Sequence, residues 1–351
     1  MTLFLKTLLE PLRPFLSLKN LQEISVLKEK ELALEIEGKG YEFVHADVLD
    51  IQYWTQVCYT LANMNGLTWD PETHPILSTR LPDLETQRVH RFEAMMGSFV
   101  ENGISISIRI KRETSHILED FGLQGEVKDY VVSRVKEGSS IIISGGTSSG
   151  KTTLLNLLLQ HIPRHKRILT IEDTRELDLP HRNWKAYTVP RHEMGASVSY
   201  QSIIDHFMRS RPDMIITGEL SISNSAPILR LLNTGHKGFM CTVHANSPVL
   251  ALEEAFTQNL RLGGHPGIEV VPFLKKTIDF VIQVDHQGGD NRRITALWAP
   301  QTDTYTQILP ENLEKDLEED LEEDSEERSS ARLEANSEAI LEEIKEVSRL
   351  G

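Results

Sequence analysis

Cysteine is scarce in this sequence: the 351 residues include two cysteines, Cys58 and Cys241, which lie far apart. So few cysteines exclude a disulfide framework and a zinc site built from clustered cysteines. This usage is typical of proteins that work in a reducing cytoplasm.

Long hydrophobic stretches are also missing. No run of about 18 or more apolar residues occurs, so we expect no membrane-spanning helix. The first residues, "MTLFLKTLLEPLRPFL", carry interspersed charges and no small-residue cleavage site, so we do not expect a signal peptide. They are compatible with ordinary packing, with partner contact or with a weak amphipathic membrane anchor.

Positive charge is in the minority, with 37 lysines and arginines against 52 acidic residues and a net charge of -15. The imbalance is concentrated between Glu311 and Gly351, where 16 residues are acidic and five are basic. Nucleic-acid binding depends on neutralising phosphates with lysine and arginine, so this composition disfavours it.

Hydrophobic patterning divides the chain into four parts. Residues 1–115 mix an alternating hairpin around Gly38–Gly40, a helix that stops at Gly66 and the alternating strand "GISISIRI", which predict an α+β domain. Residues 116–136 are polar and predict a linker with a short helix. Residues 137–305 form a second domain and residues 306–351 an acidic tail.

The second domain alternates apolar strands with helices. The strands are "SIIIS", "RILTIED", "DMIITGEL" and "GFMCTVHA", and a terminal hairpin follows. Nearly continuous apolar strands separated by helices predict a parallel sheet covered on both faces, and therefore an α/β fold. The tail has leucines at helical spacing on a charged background, which fits a solvated or partly disordered helix or a partner-binding segment.

A phosphate-binding loop opens the second domain. Its sequence, "GGTSSGKT", matches G-x-x-x-x-G-K-[ST] and stands between an apolar strand and an apolar helix. Glycines let backbone N–H groups converge on phosphate oxygens, and the helix presents its positive end. The expected nucleotide-binding residues are Gly145, Gly146, Thr147, Ser148, Ser149, Gly150, Lys151, Thr152 and Thr153. We expect Lys151 to reach the β- and γ-phosphates and Thr152 to ligate Mg²⁺.

Carboxylates follow two later strands. Glu172, with Asp173 beside it, ends one strand, and Glu219 follows Gly218 at the end of another. The carboxyl ends of parallel strands line the ligand crevice. We expect Glu219 to polarise the attacking water or to hold the metal through water, with Glu172 assisting.

Two histidines complete the set. His236 lies at a helix-to-strand turn and His244 ends the next strand, so either could approach the γ-phosphate. Cysteine partners are absent and the spacing fits no common zinc pattern, which disfavours a metal site here.

The four blocks stand in a fixed order: the phosphate loop, "TIEDTREL", "RPDMIITGEL" and "TGHKGFMCTVHAN". This order resembles the Walker A, aspartate-box, Walker B and histidine-box motifs of the secretion ATPase superfamily of type II and type IV secretion. Within it, the compact length and the first domain look most like the VirB-type traffic ATPases of type IV secretion systems.

The resemblance implies an ATPase that uses ATP and Mg²⁺, with a RecA-like domain after a PAS-like α+β domain. It further implies a homohexamer that works with other secretion components at the cytoplasmic face of the bacterial inner membrane. Nucleotide would lie between the two domains. By motif position, Arg88 and Arg109 would reach its phosphates, with Arg91 as a second choice to Arg88. Catalytic roles would fall to Glu219, Lys151, Glu172 and His244, and a nucleotide contact to His236.

Two departures from the family pattern stand out. Ser148 occupies a loop position usually held by glycine, which we expect to cost little unless its φ must be positive. Leu220-Ser221 follows Glu219, where the family often places an arginine, so an auxiliary contact is missing.

Other functions stay open at this point. A type II secretion or type IV pilus motor shares the motifs, although two distant cysteines cannot build the four-cysteine zinc module of many extension-type members. A RecA-like nucleic-acid translocase is opposed by the charge balance. A nucleotide-binding scaffold without hydrolysis is opposed by the retained Lys151, Thr152 and Glu219.

Overall fold

A computed structural model describes residues 3–84, 89–111, 116–189, 198–265, 267, 269–286 and 292–308. The chain divides into two compact units. The first comprises Met1–Thr114 and Thr188–Ser197, and the second comprises Ser115–Tyr187 and Val198–Gly351. Across the described ranges, none of the helices combines the length and the apolar character needed to cross a membrane. Most of the predicted acidic tail, from residue 309 onward, lies outside the described residues.

The first unit is built on an antiparallel sheet of six strands in the order β3-β2-β1-β6-β5-β4. The strands are β1 Leu21–Lys28, β2 Glu31–Ile36, β3 Gly40–His45, β4 Ile76–Pro82, β5 Val89–Met96 and β6 Ile104–Arg109. Its helices are α1 Leu3–Leu9, α2 Arg13–Leu16 and α3 Ile51–Asn65, with 3₁₀ turns at Glu10–Leu12 and Glu101–Gly103. The predicted hairpin and the predicted helix with its glycine stop are confirmed.

Helix α3 covers one face of this sheet. Trp54, Cys58 and Leu61 recur at helical spacing and are fully buried in the core of the unit. The helix is capped by Asp50, whose Oδ1 accepts the Tyr53 N–H at 2.8 Å, an interaction that contributes about 1 kcal/mol. It ends at Gly66, which takes a left-handed φ of 68°. The other face of the sheet carries more exposed side chains, among them Arg91 and Glu93 of β5.

The second unit contains an eight-stranded sheet in the order β14-β13-β12-β7-β11-β10-β8-β9. The strands are β7 Ile141–Gly145, β8 Ile168–Glu172, β9 Trp184–Thr188, β10 Met214–Glu219, β11 Phe239–His244, β12 Phe280–His286, β13 Arg292–Ala299 and β14 Thr304–Gln307. Strands β8, β10, β11, β7 and β12 run parallel, whereas β13 and β14 are antiparallel additions. The parallel sheet expected from the apolar strands is therefore confirmed.

Helices connect these strands. They are α4 Gly125–Glu137, α5 Lys151–Leu159, α6 Tyr200–Arg209, α7 Ser225–Leu232, α8 Pro248–Leu250, α9 Thr257–Leu262 and α10 Val271–Thr277. A 3₁₀ turn at Leu118–Phe121 precedes α4, and a π-helical turn at Ala251–Phe256 precedes α9. Residues 116–136, expected as a linker, hold the 3₁₀ turn and most of α4. Val131 and Val135 of this segment are fully buried with α5 in the core of the second unit, because they recur on one helix face.

Candidate active site

The phosphate loop joins the central strand β7 to helix α5. Two of its glycines stand where a side chain would clash with neighbouring atoms or strain the backbone. A Cβ at Gly145 would lie 2.2 Å from the Val284 carbonyl oxygen on the neighbouring strand. Gly150 has a φ of 91° at the start of α5, a conformation that favours glycine. Residues 146–148 are exposed between them, so this stretch of backbone is open to a ligand at the N-terminus of the helix.

Lys151 lies under this loop and is buried. Its Nζ donates to the carbonyl oxygens of Gly145 at 3.0 Å and Gly146 at 2.5 Å. The same ammonium lies 3.2 Å from Nδ1 of His244. The ammonium is thus held against the phosphate loop and in contact with the end of strand β11.

His244 links Lys151 to Glu219. Its Nε2 lies 3.1 Å from Oε1 of Glu219, at the end of the adjacent strand β10. Because an ammonium can only donate, the Nδ1 that faces Lys151 must accept. The imidazole therefore lies between the ammonium and the carboxylate, within contact distance of both. The structure brings together three predicted catalytic residues, one from each of three neighbouring elements.

Glu172 reaches the same edge of the sheet but makes different contacts. It is buried, and its Oε1 accepts the backbone N–H groups of Glu176 at 2.7 Å and Leu177 at 2.9 Å. A Cβ at Gly218 would lie 3.1 Å from Cγ of Glu172, so this glycine leaves room for the glutamate beside β10. Glu172 thus holds the loop after β8 in place, one strand away from Glu219.

Two asparagines that the sequence analysis did not single out hold the flanking loops. Asn224 is fully buried; it accepts the Ser221 N–H at 2.8 Å and donates to the Glu219 carbonyl oxygen at 2.8 Å. Asn156 on α5 accepts the Asp178 N–H at 2.9 Å and donates to the carbonyl oxygen of Glu176 at 3.2 Å. For the first, the usable signal was an asparagine in the polar turn five residues after the strand-end Glu219, because an asparagine side chain readily bonds nearby backbone.

Ser148 adopts a left-handed backbone conformation, with φ of 59°. A serine was expected to cost little here unless its φ had to be positive. The φ is positive, so the expectation of a small cost is wrong. The left-handed region brings the Cβ of an L-residue close to the following carbonyl oxygen, at a cost of roughly 1–2 kcal/mol. The neighbouring Ser149 is buried instead, and its hydroxyl donates to the Gly146 carbonyl oxygen at 3.0 Å.

His236 is not brought to the phosphate loop of its own unit. It precedes β11, whereas Gly145 pairs with His244 at the far end of that strand. A turn that leads from a helix into a parallel strand lies at the amino edge of the sheet, opposite the carboxyl edge where ligands bind. Burial lowers the pKa of His236, and nearby Asp213 opposes that shift. The two histidines belong to one sequence motif, but strand β11 lies between them, so they stand at opposite edges of the sheet.

The predicted arginines belong to the first unit. Arg88 lies outside the described residues, and Arg109 ends strand β6. Arg109 pairs in register with Arg91 on β5, and Arg91 pairs with Arg80 on β4. Paired residues of neighbouring strands share one face, so these three side chains form a row across the sheet, named here the arginine row. Glu23 on β1 pairs with Arg109 at its end.

The second unit also offers oxygen ligands for Mg²⁺. Thr152 is half-buried in the first turn of α5, and Glu219 is partly exposed at the end of β10. Nowhere in the described ranges do three or more histidine, cysteine, aspartate or glutamate side chains form a group able to hold a metal ion. Mg²⁺ usually takes one or two protein oxygens and completes its shell with phosphates and water. The donor set therefore fits a magnesium ion held largely by the phosphates of a nucleotide.

Comparison with known proteins gives one family. Residues 76–282 match the family described as "Type II/IV secretion system protein". The type IV secretion system protein VirB11 of Bartonella henselae is 30% identical over 287 residues, which cover 71% of this chain and 79% of VirB11. PtlH, a type IV secretion system protein of Bordetella pertussis, is 28% identical over 326 residues, which cover 83% of this chain and 93% of PtlH.

A solved structure shares the architecture. The X-ray structure of the Legionella pneumophila ATPase DotB superposes with a TM-score of 0.59 at 16% identity, over 97% of this chain and 87% of that chain. At this identity the likeness concerns the fold. The expected fold, a RecA-like parallel-sheet domain after an α+β domain, is confirmed.

Proposed function

The chain belongs to the type II/IV secretion system protein family and is an ATPase, and from this premise we propose that it is a motor of a type IV secretion system. ATP hydrolysis would drive substrate translocation, pilus assembly or both. The observation that carries this proposal is the connected set of Lys151, His244 and Glu219 beside the phosphate loop. A cation, an imidazole and a carboxylate are thus grouped near the N-terminus of α5 and the ends of β10 and β11, where we expect the γ-phosphate.

Each group has a distinct role in the proposed reaction. Lys151 leaves the Gly145 and Gly146 carbonyl oxygens to neutralise the β- and γ-phosphates, together with the backbone N–H groups of the loop. Glu219 orients the attacking water and accepts its proton. His244 contacts both Lys151 and Glu219, so a shift of the ammonium toward a bound phosphate would be transmitted to that carboxylate. Glu172 assists by fixing the loop after β8.

Magnesium would be held by the Thr152 hydroxyl and, through water, by Glu219. When bound, this ion neutralises charge on the phosphate oxygens. The protein groups then act by positioning and charge stabilisation, because phosphoryl transfer to water needs no covalent intermediate with the chain.

The arginine row is proposed to contact the phosphates in the assembled motor through Arg109, together with Arg88, which motif position also predicted. Three guanidinium groups in register repel one another, a cost that a bound polyphosphate would offset. Arg80 is an addition to the residues that the sequence motif suggested. We further propose a homohexamer, associated peripherally with the cytoplasmic face of the inner membrane and with other secretion components. The family resemblance supports the hexamer and its location, and the names of the relatives support work alongside other secretion components.

Steady-state phosphate release tests the enzymatic assignment. Lys151→Ala should lower kcat by about a hundredfold or more, because it removes the charge that stabilises the transferring phosphoryl group. Glu219→Gln should lower kcat by roughly 10²- to 10⁴-fold while retaining bound ATP, since the amide cannot accept the proton of water. Lys185→Ala removes an exposed lysine on β9 and should leave turnover unchanged. Full turnover in Glu219→Gln would exclude that residue as the base.

A further inference from the structure

The strand order gives the bound nucleotide a direction. Strand β7, which carries the phosphate loop, has β11 on one side and β12 on the other. His244 and Glu219 lie on the β11 and β10 side, where the γ-phosphate is expected under the proposed function. The nucleoside end of ATP therefore points away from that side, toward the flank formed by the β12–β13 hairpin.

Arg292 begins strand β13 on this second flank. Its Nε donates to the Ser148 carbonyl oxygen at 3.3 Å. A Cβ at Gly150 would lie 2.8 Å from Cδ of Arg292 and 3.0 Å from the ring of Phe121. Because Gly150 has no side chain, Arg292 can lie against the phosphate loop. The buried ring of Phe121 packs beside the same glycine.

Arg292 keeps part of its surface accessible beside the phosphate loop. Arg292 is partly exposed, and its hydrogen bond to Ser148 uses Nε, so the two terminal nitrogens and the planar face lie beyond that contact. A guanidinium plane stacks well on aromatic rings, and every nucleobase offers such a ring. The Ser148 hydrogen bond and the contact at Gly150 fix where this plane lies.

We propose that Arg292 binds the nucleoside end of ATP, with its guanidinium plane against the nucleobase. This assignment rests on the proposed function, because it requires a nucleotide on the phosphate loop. The competing explanation is that Arg292 only braces the loop through Ser148. The two differ in one respect: a brace serves any ligand of the loop, whereas a nucleobase contact serves only ligands that have a base.

Inorganic tripolyphosphate separates these explanations, because it carries three phosphates and no nucleoside. Dissociation constants for Mg²⁺-ATP and for Mg²⁺-tripolyphosphate are measured on the full chain by calorimetry, with thermal unfolding to verify folding. Arg292→Ala should weaken ATP about tenfold, the equivalent of one cation–π contact, and change tripolyphosphate less than twofold. Arg292→Lys keeps the charge and the aliphatic stem but lacks the plane, so it should give an intermediate loss for ATP alone. Arg261→Ala, an exposed arginine on α9, is the matched control.

The outcomes are distinct. Loss confined to ATP supports the assignment, and Arg292→Lys carries the same comparison if Arg292→Ala does not fold. Equal weakening of both ligands overturns it in favour of a brace. Unchanged ATP binding in both variants overturns it alone, because the wild-type chain still binds nucleotide. A folded wild-type chain that binds neither compound overturns the proposed function and this assignment with it.

Discussion

Ser148 lies in the exposed part of the phosphate loop, where its backbone is left-handed and its carbonyl oxygen accepts from Arg292. This conformation lets the carbonyl oxygen face Arg292 on β13, but it also brings Cβ unfavourably close to the backbone. Glycine would relieve this contact but would lose more conformational entropy on folding, by roughly 0.5–1 kcal/mol. Strain of this kind is found where the surrounding structure over-determines a functional loop.

Replacing Ser148 with glycine should therefore stabilise the second unit. Removal of the left-handed penalty, less the added entropy of glycine, predicts a rise in the free energy of unfolding of about 0.5–1 kcal/mol. Urea titration followed by circular dichroism measures it as a higher midpoint with an unchanged slope. Ser149→Gly is the matched control: its φ is not positive, and it loses a buried hydrogen bond, so its midpoint should fall. A fall in both variants would show that Ser148 is not strained.

At the scale of elements, the carboxyl edge of the parallel sheet assembles the site. Loops after β7, β8, β10 and β11 all open at this edge because the strands are parallel. The loop from Glu219 to α7 lacks the arginine common in the family and is closed by Asn224 instead. That side chain ties the Ser221 N–H to the Glu219 carbonyl oxygen, so the position of the glutamate depends on a buried amide.

Asn224→Ala should impair both folding and catalysis. It leaves a backbone donor and a backbone acceptor without this partner, which should lower the free energy of unfolding by about 1–3 kcal/mol. Displacement of Glu219 should lower kcat by roughly tenfold to a hundredfold. Thermal unfolding and phosphate release measure the two effects. Asn224→Asp still accepts from Ser221 but cannot donate to Glu219, so it should recover part of the stability. Asn233→Ala, an exposed position after α7, should change neither quantity.

Strand ends could be read from the sequence, whereas side-chain partners could not. Apolar runs located β7, β8, β10 and β11, and the residues that follow such runs predicted Glu219 and His244 at one edge. His236 was misplaced because a shared sequence motif was taken for a shared location. Asn224 and Arg292 were missed because their roles depend on contacts, to a loop turn and to a distant strand, that periodicity does not encode. The value of φ at Ser148 likewise depends on the folded loop.

At the scale of the whole molecule, the two units contribute different chemical groups to the proposed function. The second supplies the phosphate loop and the carboxylates, and the first presents the arginine row on the polar face of its sheet. Arginines placed side by side disfavour the isolated sheet, because like charges directly opposite are destabilising. Under the proposed function, the row would give up stability in one unit for an interaction with the phosphates of ATP. Stability and activity should therefore respond in opposite directions when the row is broken.

Arg91 is the residue at which to test this opposition, because it lies between Arg80 and Arg109 in the register. Arg91→Gln should raise the free energy of unfolding by roughly 0.2–1 kcal/mol at low salt, and the gain should shrink at 1 M salt because the Debye length falls to about 3 Å. The same variant should lower kcat for ATP, since one phosphate-binding guanidinium is lost. Urea titration at two salt concentrations and phosphate release measure the pair of effects. Lys19→Gln, an exposed charge of the same unit outside the row, should show neither. If Arg91→Gln lost stability and kept full turnover, the row would be a structural feature of the sheet and not a binding surface for the phosphates of ATP.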